Sequence, residues 1–317
     1  WLNRRYRLPA GMLQPDRHIL PVAGTREALF AVALLAVPSK KRGAQPTVLI
    51  PDPFYQIYSG AAIMAGAEPV YVPTVEDNGF LPDFQALPTE KLERAALAYL
   101  CSPSNPQGAV ASLDQLDAYV ALARDFDFML AADECYSEIY CGAPPAGIVE
   151  ACMSVNPDLR NVIAFHSLSK RSNVPGLRSG FIVGNSNLIG DFARLRQYTG
   201  GASPGPILAA AAALWQDEAH VDTSRALYRD KFDDAERHIG SHPHFYRPDG
   251  GFYLWLKVGD GEETAQRLWT AAGVKVMPGA YLSREGSDPP GKAYIRLALV
   301  HDRATTTEAL TRLAEYI

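Results

Sequence analysis

Between residues 47 and 184 the chain repeats one pattern: a short, for the most part continuously apolar run, then a longer amphipathic stretch. The runs fall at 47–50, 69–72, 96–100, 128–132, 161–165 and 180–184. A half-exposed strand would alternate apolar and polar residues. Continuous runs of this length predict strands covered on both faces. Helices are expected between them, near 55–66, 112–126 and 187–198. The second has a clear start: Ser112 at the N-cap and Gln115 three residues on form a capping box. Strand, helix, strand in succession predicts an α/β fold with a mostly parallel central sheet flanked by helices.

The character changes after Gly200. Ser203-Pro204-Gly205-Pro206 breaks the chain, and a long helix is expected over 207–238. Its first part, 207–215, is mostly alanine and reads as a packed helix. Strands are expected at 251–258, 274–277 and 293–300, with helices near 262–272 and from Thr305. The expected organisation is a large domain over 1–200, then an interdomain helix and a smaller C-terminal α+β domain over 201–317. A chain of 317 residues is more comfortable as two domains than as one.

Composition removes several classes of function. Net charge is −5 and the basic residues are dispersed, which argues against a nucleic-acid surface. No eighteen-residue apolar run offers a membrane span. The first residues lack a signal-peptide pattern. Cys101, Cys135, Cys141 and Cys152 have no metal-ligand spacing, so no metal is expected. Reduced thiols in a cytoplasm are the simple expectation.

In open α/β sheets, ligands bind beyond the carboxyl ends of the strands. The run at 96–100 is followed by Cys101-Ser102-Pro103-Ser104-Asn105-Pro106-Gln107-Gly108. The run at 128–132 is followed by Asp133-Glu134-Cys135-Tyr136, and the run at 161–165 by His166-Ser167-Leu168-Ser169-Lys170. Taken singly, these are a turn, a helix cap and a solvated lysine. Taken together, three strand ends deliver an amide, a carboxylate with a nearby phenol, and an amine to one sheet edge.

These segments resemble the fold-type I enzymes that use pyridoxal 5′-phosphate, specifically the class I/II aminotransferases. Ser102–Gly108, Asp133–Tyr136 and Ser167–Gly180 carry the resemblance, with Ala23-Gly24-Thr25-Arg26 upstream and Tyr294-Ile295-Arg296-Leu297 downstream. Ser-x-Ser-Lys, followed eight residues later by Arg and then by Gly, is the family's signature. The resemblance implies that Lys170 carries the cofactor and shuttles a proton, and that Asp133 pairs with the ring nitrogen. It implies that Tyr136 and Asn105 hydrogen-bond the ring oxygen, and that Tyr55 stacks on the ring with Phe54 as the competing choice. Gly24, Thr25 and Arg26 would meet the phosphate at a helix start, where free N–H groups favour an anion. Thr25 has a plain alternative there as a helix N-cap. Ser167 and Arg178 would complete the phosphate cradle, with Ser169 as the alternative serine. Arg296 would grip the substrate α-carboxylate, with Asn105 also placed at the substrate.

Within the family, the stretch 167–181 is similar to N-succinyldiaminopimelate aminotransferases of bacterial lysine biosynthesis. That implies amino transfer between glutamate and N-succinyl-2-amino-6-oxopimelate. Arg171 and Arg284 are then candidates for the additional carboxylates. Another aminotransferase, a pyridoxal-phosphate β-lyase or a non-catalytic sensor remain the alternatives. The resemblance also implies a homodimer with its active sites at the subunit interface. Family members carry several dozen residues before the position matching Trp1, including a tyrosine that reaches the partner's phosphate. The chain is therefore expected to be part of a longer one.

Overall fold

The chain is described by a computed structural model covering residues 1–317 except 156, 157, 200 and 287. Seven strands form one sheet: β1 (Ile19–Val22), β2 (Thr47–Asp52), β3 (Glu68–Pro73), β4 (Ala95–Cys101), β5 (Met129–Asp133), β6 (Val162–Ser167) and β7 (Gly180–Gly184). Their order is β1-β7-β6-β5-β4-β2-β3. From β3 to β6 all neighbours are parallel. β7 runs antiparallel to β6, and β1 antiparallel to β7.

All six predicted runs became strands; five are largely buried, whereas β3 is a half-buried edge strand with only Val72 fully covered. Every residue of β2, β4 and β6 is buried. One apolar cluster, with Leu100, Leu116, Val120 and Ala132, covers one face; a second, with Leu29, Val32, Tyr58 and Phe192, covers the other. Each fully buried aliphatic side chain contributes about 1.5–3 kcal/mol. The expected helices appear at Gln56–Met64, Leu113–Asp125 and Ser186–Thr199. At Ser112 the capping box forms in both directions. The sequence did not signal β1. It is a four-residue edge strand containing Pro21, and only Val22 is buried.

A second sheet, antiparallel, contains β8 (Tyr253–Lys257), β9 (Met277–Pro278) and β10 (Tyr294–Ala298) in the order β8-β10-β9. It packs with its own apolar cluster, which includes Phe232, Leu254, Ile295 and Leu310. Gly200, where the sequence suggests a change of character, lies outside the described residues.

Three expectations are corrected here. The helix over 207–238 is two helices, Gly205–Gln216 and Ala219–Ile239. Asp217 leaves helical geometry at ψ 125°, and its carboxylate accepts the Ala219 N–H at 3.1 Å. Side-chain capping of this kind competes with helix continuation. The segment 207–215 is helical but only partly packed: Ala211 is its one buried residue, and Trp215 at its end lies against Trp1 and Phe181 at 4.9 and 4.8 Å between ring centres. The strand expected at 274–277 shrinks to Met277–Pro278; Val274 and Val276 are buried as loop residues after Gly273 turns the chain at φ +66°.

Among the described residues, no helix is long and apolar enough to cross a membrane. All four cysteines are free thiols.

Candidate active site

A cavity of about 700 Å³ opens where β4, β5 and β6 end. Asn105, Asp133 and Lys170 line it, so the three strand ends do meet.

Asp133 is the last residue of β5 and is nearly fully buried. Its Oδ2 accepts a hydrogen bond from Tyr58 Oη at 2.7 Å, and its Oδ1 accepts the Cys135 N–H at 3.2 Å. Burial pushes its pKa up, while these donors and the Lys170 charge pull it back. It caps no helix, because the next one is Ile148–Val155.

Lys170 lies on the short helix Leu168–Arg171, directly after β6. Its Nζ is 4.9 Å from the centre of the Phe252 ring and 6.0 Å from that of Tyr136. Burial lowers its pKa, and the Arg296 and Arg26 charges lower it further against the opposing pull of Cys135 and Asp133. A lysine so placed is closer to the neutral amine that a nucleophile or base requires. Ser167 caps this helix, its Oγ accepting the Ser169 N–H at 3.1 Å; both serines line the cavity.

Gly24 is the N-cap of the helix Thr25–Ala36 and has φ +90°. The cap uses glycine rather than the side chain of Thr25, which is the first helical residue. A Cβ on Gly24 would lie 2.1 Å from Arg178 Nη2. Only glycine lets the guanidinium approach the helix start so closely. Thr25, Arg26 and Arg178 all line the cavity at this end, and Arg26 Nε donates to Tyr55 Oη.

From the smaller sheet, Arg296 of β10 donates from Nη1 to Asn105 Oδ1 at 2.9 Å. Its guanidinium sits 4.5 Å from the Tyr253 ring centre. The two residues expected at the substrate therefore bind one another, tying the smaller sheet to the β4 end.

Tyr55 and Phe54 both line the cavity, but Phe54 is buried against Tyr71 at 5.2 Å between ring centres, whereas Tyr55 is half-exposed. Tyr136 Oη lies 3.1 Å from Tyr253 Oη. Sequence reasoning missed Tyr253 and Tyr58. Tyr58 had a usable signal, since it follows Tyr55 by three residues and so shares its helical face. Tyr253 had none, because it arrives from another sheet.

Arg171 and Arg284 do not line the cavity, which corrects the expectation for both. Arg171 is buried and donates to Leu214 O at 2.6 Å and to Glu218 Oε1 at 2.8 Å. Arg284 is held by Asp52, with Nε 3.6 Å from Oδ2 and its N–H 3.3 Å from Oδ1.

A mostly parallel seven-stranded sheet with a lysine and a buried carboxylate on adjacent strand ends defines a fold-type I pyridoxal-phosphate enzyme. The family model for aminotransferases of class I and II matches residues 3–313, and the chain belongs to that family. The LL-diaminopimelate aminotransferase of Aquifex aeolicus is 32% identical over 326 residues, covering 100% of this chain and 78% of the relative. The solved structure of an aminotransferase from Neisseria meningitidis superposes with a TM-score of 0.94 at 39% identity, covering 100% of this chain and 81% of the other. A probable N-succinyldiaminopimelate aminotransferase from Thermus thermophilus gives 0.86 at 26% identity, covering 100% and 82%.

Class I and II aminotransferases use pyridoxal phosphate, and the cavity fits that group on two counts. With no Cβ on Gly24, the Arg178 guanidinium sits directly against the start of the Thr25–Ala36 helix, so a cation and free helix N–H groups stand together at one end of the cavity, a pairing suited to a phosphate. Asp133 offers a buried carboxylate suited to a protonated ring nitrogen. When bound, the cofactor supplies the electron sink that the protein lacks.

Proposed function

We propose that the chain moves an amino group between glutamate or 2-oxoglutarate and a diaminopimelate-derived acid. Lys170 holds the cofactor and moves the proton at the substrate Cα. Asp133 keeps the ring nitrogen protonated, and Tyr58 holds that carboxylate in place. Tyr136 and Asn105 donate to the ring oxygen, and Tyr55 covers the ring face. Gly24, Thr25, Arg26, Ser167 and Arg178 hold the phosphate. Arg296 takes the substrate α-carboxylate, since its fork has further N–H groups beyond the one given to Asn105. The observation that carries this reading is one cavity faced by a half-buried lysine, a buried carboxylate and an arginine contributed by the smaller sheet.

Two substrates fit the class. The succinylated 2-oxo acid, N-succinyl-2-amino-6-oxopimelate, is the one implied by the 167–181 segment. LL-diaminopimelate is the other, supported by the names of the relatives and by the retreat of Arg171 and Arg284 from the cavity. A homodimer in the cytoplasm, with the interface at the active site, is part of the same proposal.

The test is a two-substrate assay with purified protein reconstituted with pyridoxal phosphate. Glutamate should convert the bound cofactor to its amino form, as read by absorbance. The succinylated 2-oxo acid or the oxo acid that corresponds to LL-diaminopimelate should then discharge it. Absence of any glutamate-driven change would overturn the enzyme reading. Glutamate-driven change with neither acceptor working would overturn the substrate class. Borohydride reduction should place the label on Lys170.

A further inference from the structure

Glu134 follows Asp133 but does not line the cavity; successive residues at a strand end point to opposite sides. It is nearly fully buried, as are Tyr6 and His166 around it. Tyr6 Oη donates to Glu134 Oε2 at 2.8 Å, and the Ile148 N–H donates to Oε1 at 2.6 Å. His166 Nε2 lies 3.3 Å from Oε2. The Ile148 contact is at the first residue of a helix, a position that favours a carboxylate.

The arrangement depends on a second glycine. A Cβ on Gly147 would fall 2.4 Å from Tyr6 Cζ and 2.7 Å from Tyr6 Oη. The chain thus leaves room for the Tyr6 ring to reach the carboxylate. Arg5 fixes the same segment, donating to Glu138 Oε1 at 2.7 Å and to Pro145 O at 2.9 Å.

We propose that Glu134 is a positioning residue: with Tyr6, His166 and Ile148 it forms a buried brace behind Asp133, and its charge sets how firmly Asp133 holds a protonated partner in the cavity. The inference rests on the assignment of Asp133 to the ring nitrogen.

The charges facing Glu134 from each packed element are few. Asp133 on β5 opposes its ionisation, and Arg5 favours it from the N-terminal helix. His166 on β6 is held neutral by burial, its pKa lowered to about 3, with Arg5 adding to the effect. The Cys152 thiol, on the helix Ile148–Val155, is kept protonated by burial. Tyr6 is kept protonated in the same way, with the Glu134 charge adding to the effect. Burial raises Glu134 to about 7, against the pull of the Ile148 and Tyr6 donors. Below that pH the protonated acid faces neutral His166. Above it, a second negative charge stands beside Asp133, and a neighbouring anion favours the protonated state of a shared cation.

The experiment is a pH titration of the bound-cofactor absorbance, run on reconstituted wild type, Glu134→Gln and Tyr6→Phe. Wild type should show an inflection near 7 in addition to the cofactor's own transition. Glu134→Gln keeps an acceptor for Ile148 but carries no charge, so that inflection should vanish and the cofactor's midpoint should fall by about half a unit or more. Tyr6→Phe removes one donor to the carboxylate, so the inflection should move to higher pH. Titrations of the variants that superimpose on wild type would overturn the inference, even if either variant lowers thermal stability. A wild type that takes up no cofactor would overturn the proposed function, and this inference with it.

Discussion

Tyr58 donates a 2.7 Å hydrogen bond to Asp133 Oδ2, and both groups are buried. The phenol comes from the helix after β2, and the carboxylate from the end of β5. An Asp in this setting drifts towards its neutral form, and the Tyr58 bond is one of the forces that oppose the drift. Tyr58→Phe leaves a buried oxygen short of one donor, at a cost of about 1–3 kcal/mol. The expected result is a loss of roughly tenfold in pyridoxal-phosphate affinity, measured by titrating apoprotein. Unchanged affinity would show that Asp133 does not face the cofactor.

Gly24 is constrained twice, by φ +90° and by the Arg178 guanidinium. Gly24→Ala should displace Arg178 and weaken inorganic phosphate and cofactor binding together, by at least about tenfold, since a charge-assisted contact is lost. Arg178→Lys should fall in the same direction with the helix start intact. If Gly24→Ala binds phosphate as wild type does, the cradle lies elsewhere.

Arg296 meets Asn105 through one N–H and stands over Tyr253. Lysine offers a point charge in place of a planar fork. Arg296→Lys should therefore raise KM for glutamate by about tenfold or more, with a smaller effect on cofactor affinity. Equal losses in both would place Arg296 at the cofactor instead.

Lys170 is held below its ordinary pKa by burial, so the folded apoprotein binds its proton less tightly than the unfolded chain does. Burying the ammonium costs stability at neutral pH, and the cost shrinks as pH rises towards 10.5. Lys170→Met should raise the Tm of apoprotein at pH 7 and lose that gain towards pH 10, while abolishing amino transfer. Differential scanning calorimetry at the two pH values checks it; a gain independent of pH would assign the effect to packing alone.

Glu134 and His166 act on stability in opposite directions. Glu134 titrates near 7 when folded against an ordinary 4.5, so stability falls as pH rises between those values. His166 titrates near 3 against an ordinary 6.5, so stability falls as pH drops between those values. From 4.5 to 6.5 the two slopes cancel. Glu134→Gln removes one of them, and urea midpoints should then rise with pH across that window. A variant as flat as wild type there would refute the opposition.

Much of the fold was legible because burial on both faces leaves a direct mark. The six runs became β2 to β7, with β3 the exception that is a half-buried edge strand, and Ser112 and Gln115 capped their helix as written. Elements with one covered face or an edge position are less legible. β1 is apolar but only four residues long and interrupted by a proline, and the Ala-rich segment at 207–215 is equally compatible with a packed and an exposed helix. The break at Asp217 depends on one side chain recapturing the Ala219 N–H, which periodicity does not register.

The sequence by itself determined which residue types stand at the strand ends: Asn105, Asp133 and Lys170 follow their apolar runs directly, and a parallel sheet sends such ends to one edge. Tertiary structure alone decided their partners. Tyr58 reaches Asp133 across 75 residues, Tyr6 reaches Glu134 across 128, and Arg296 reaches Asn105 across 191. Periodicity reports that a side chain will be covered, not what covers it. That choice follows from the order β1-β7-β6-β5-β4-β2-β3 and from the docking of the smaller sheet, which bring distant segments together only once the whole chain has packed.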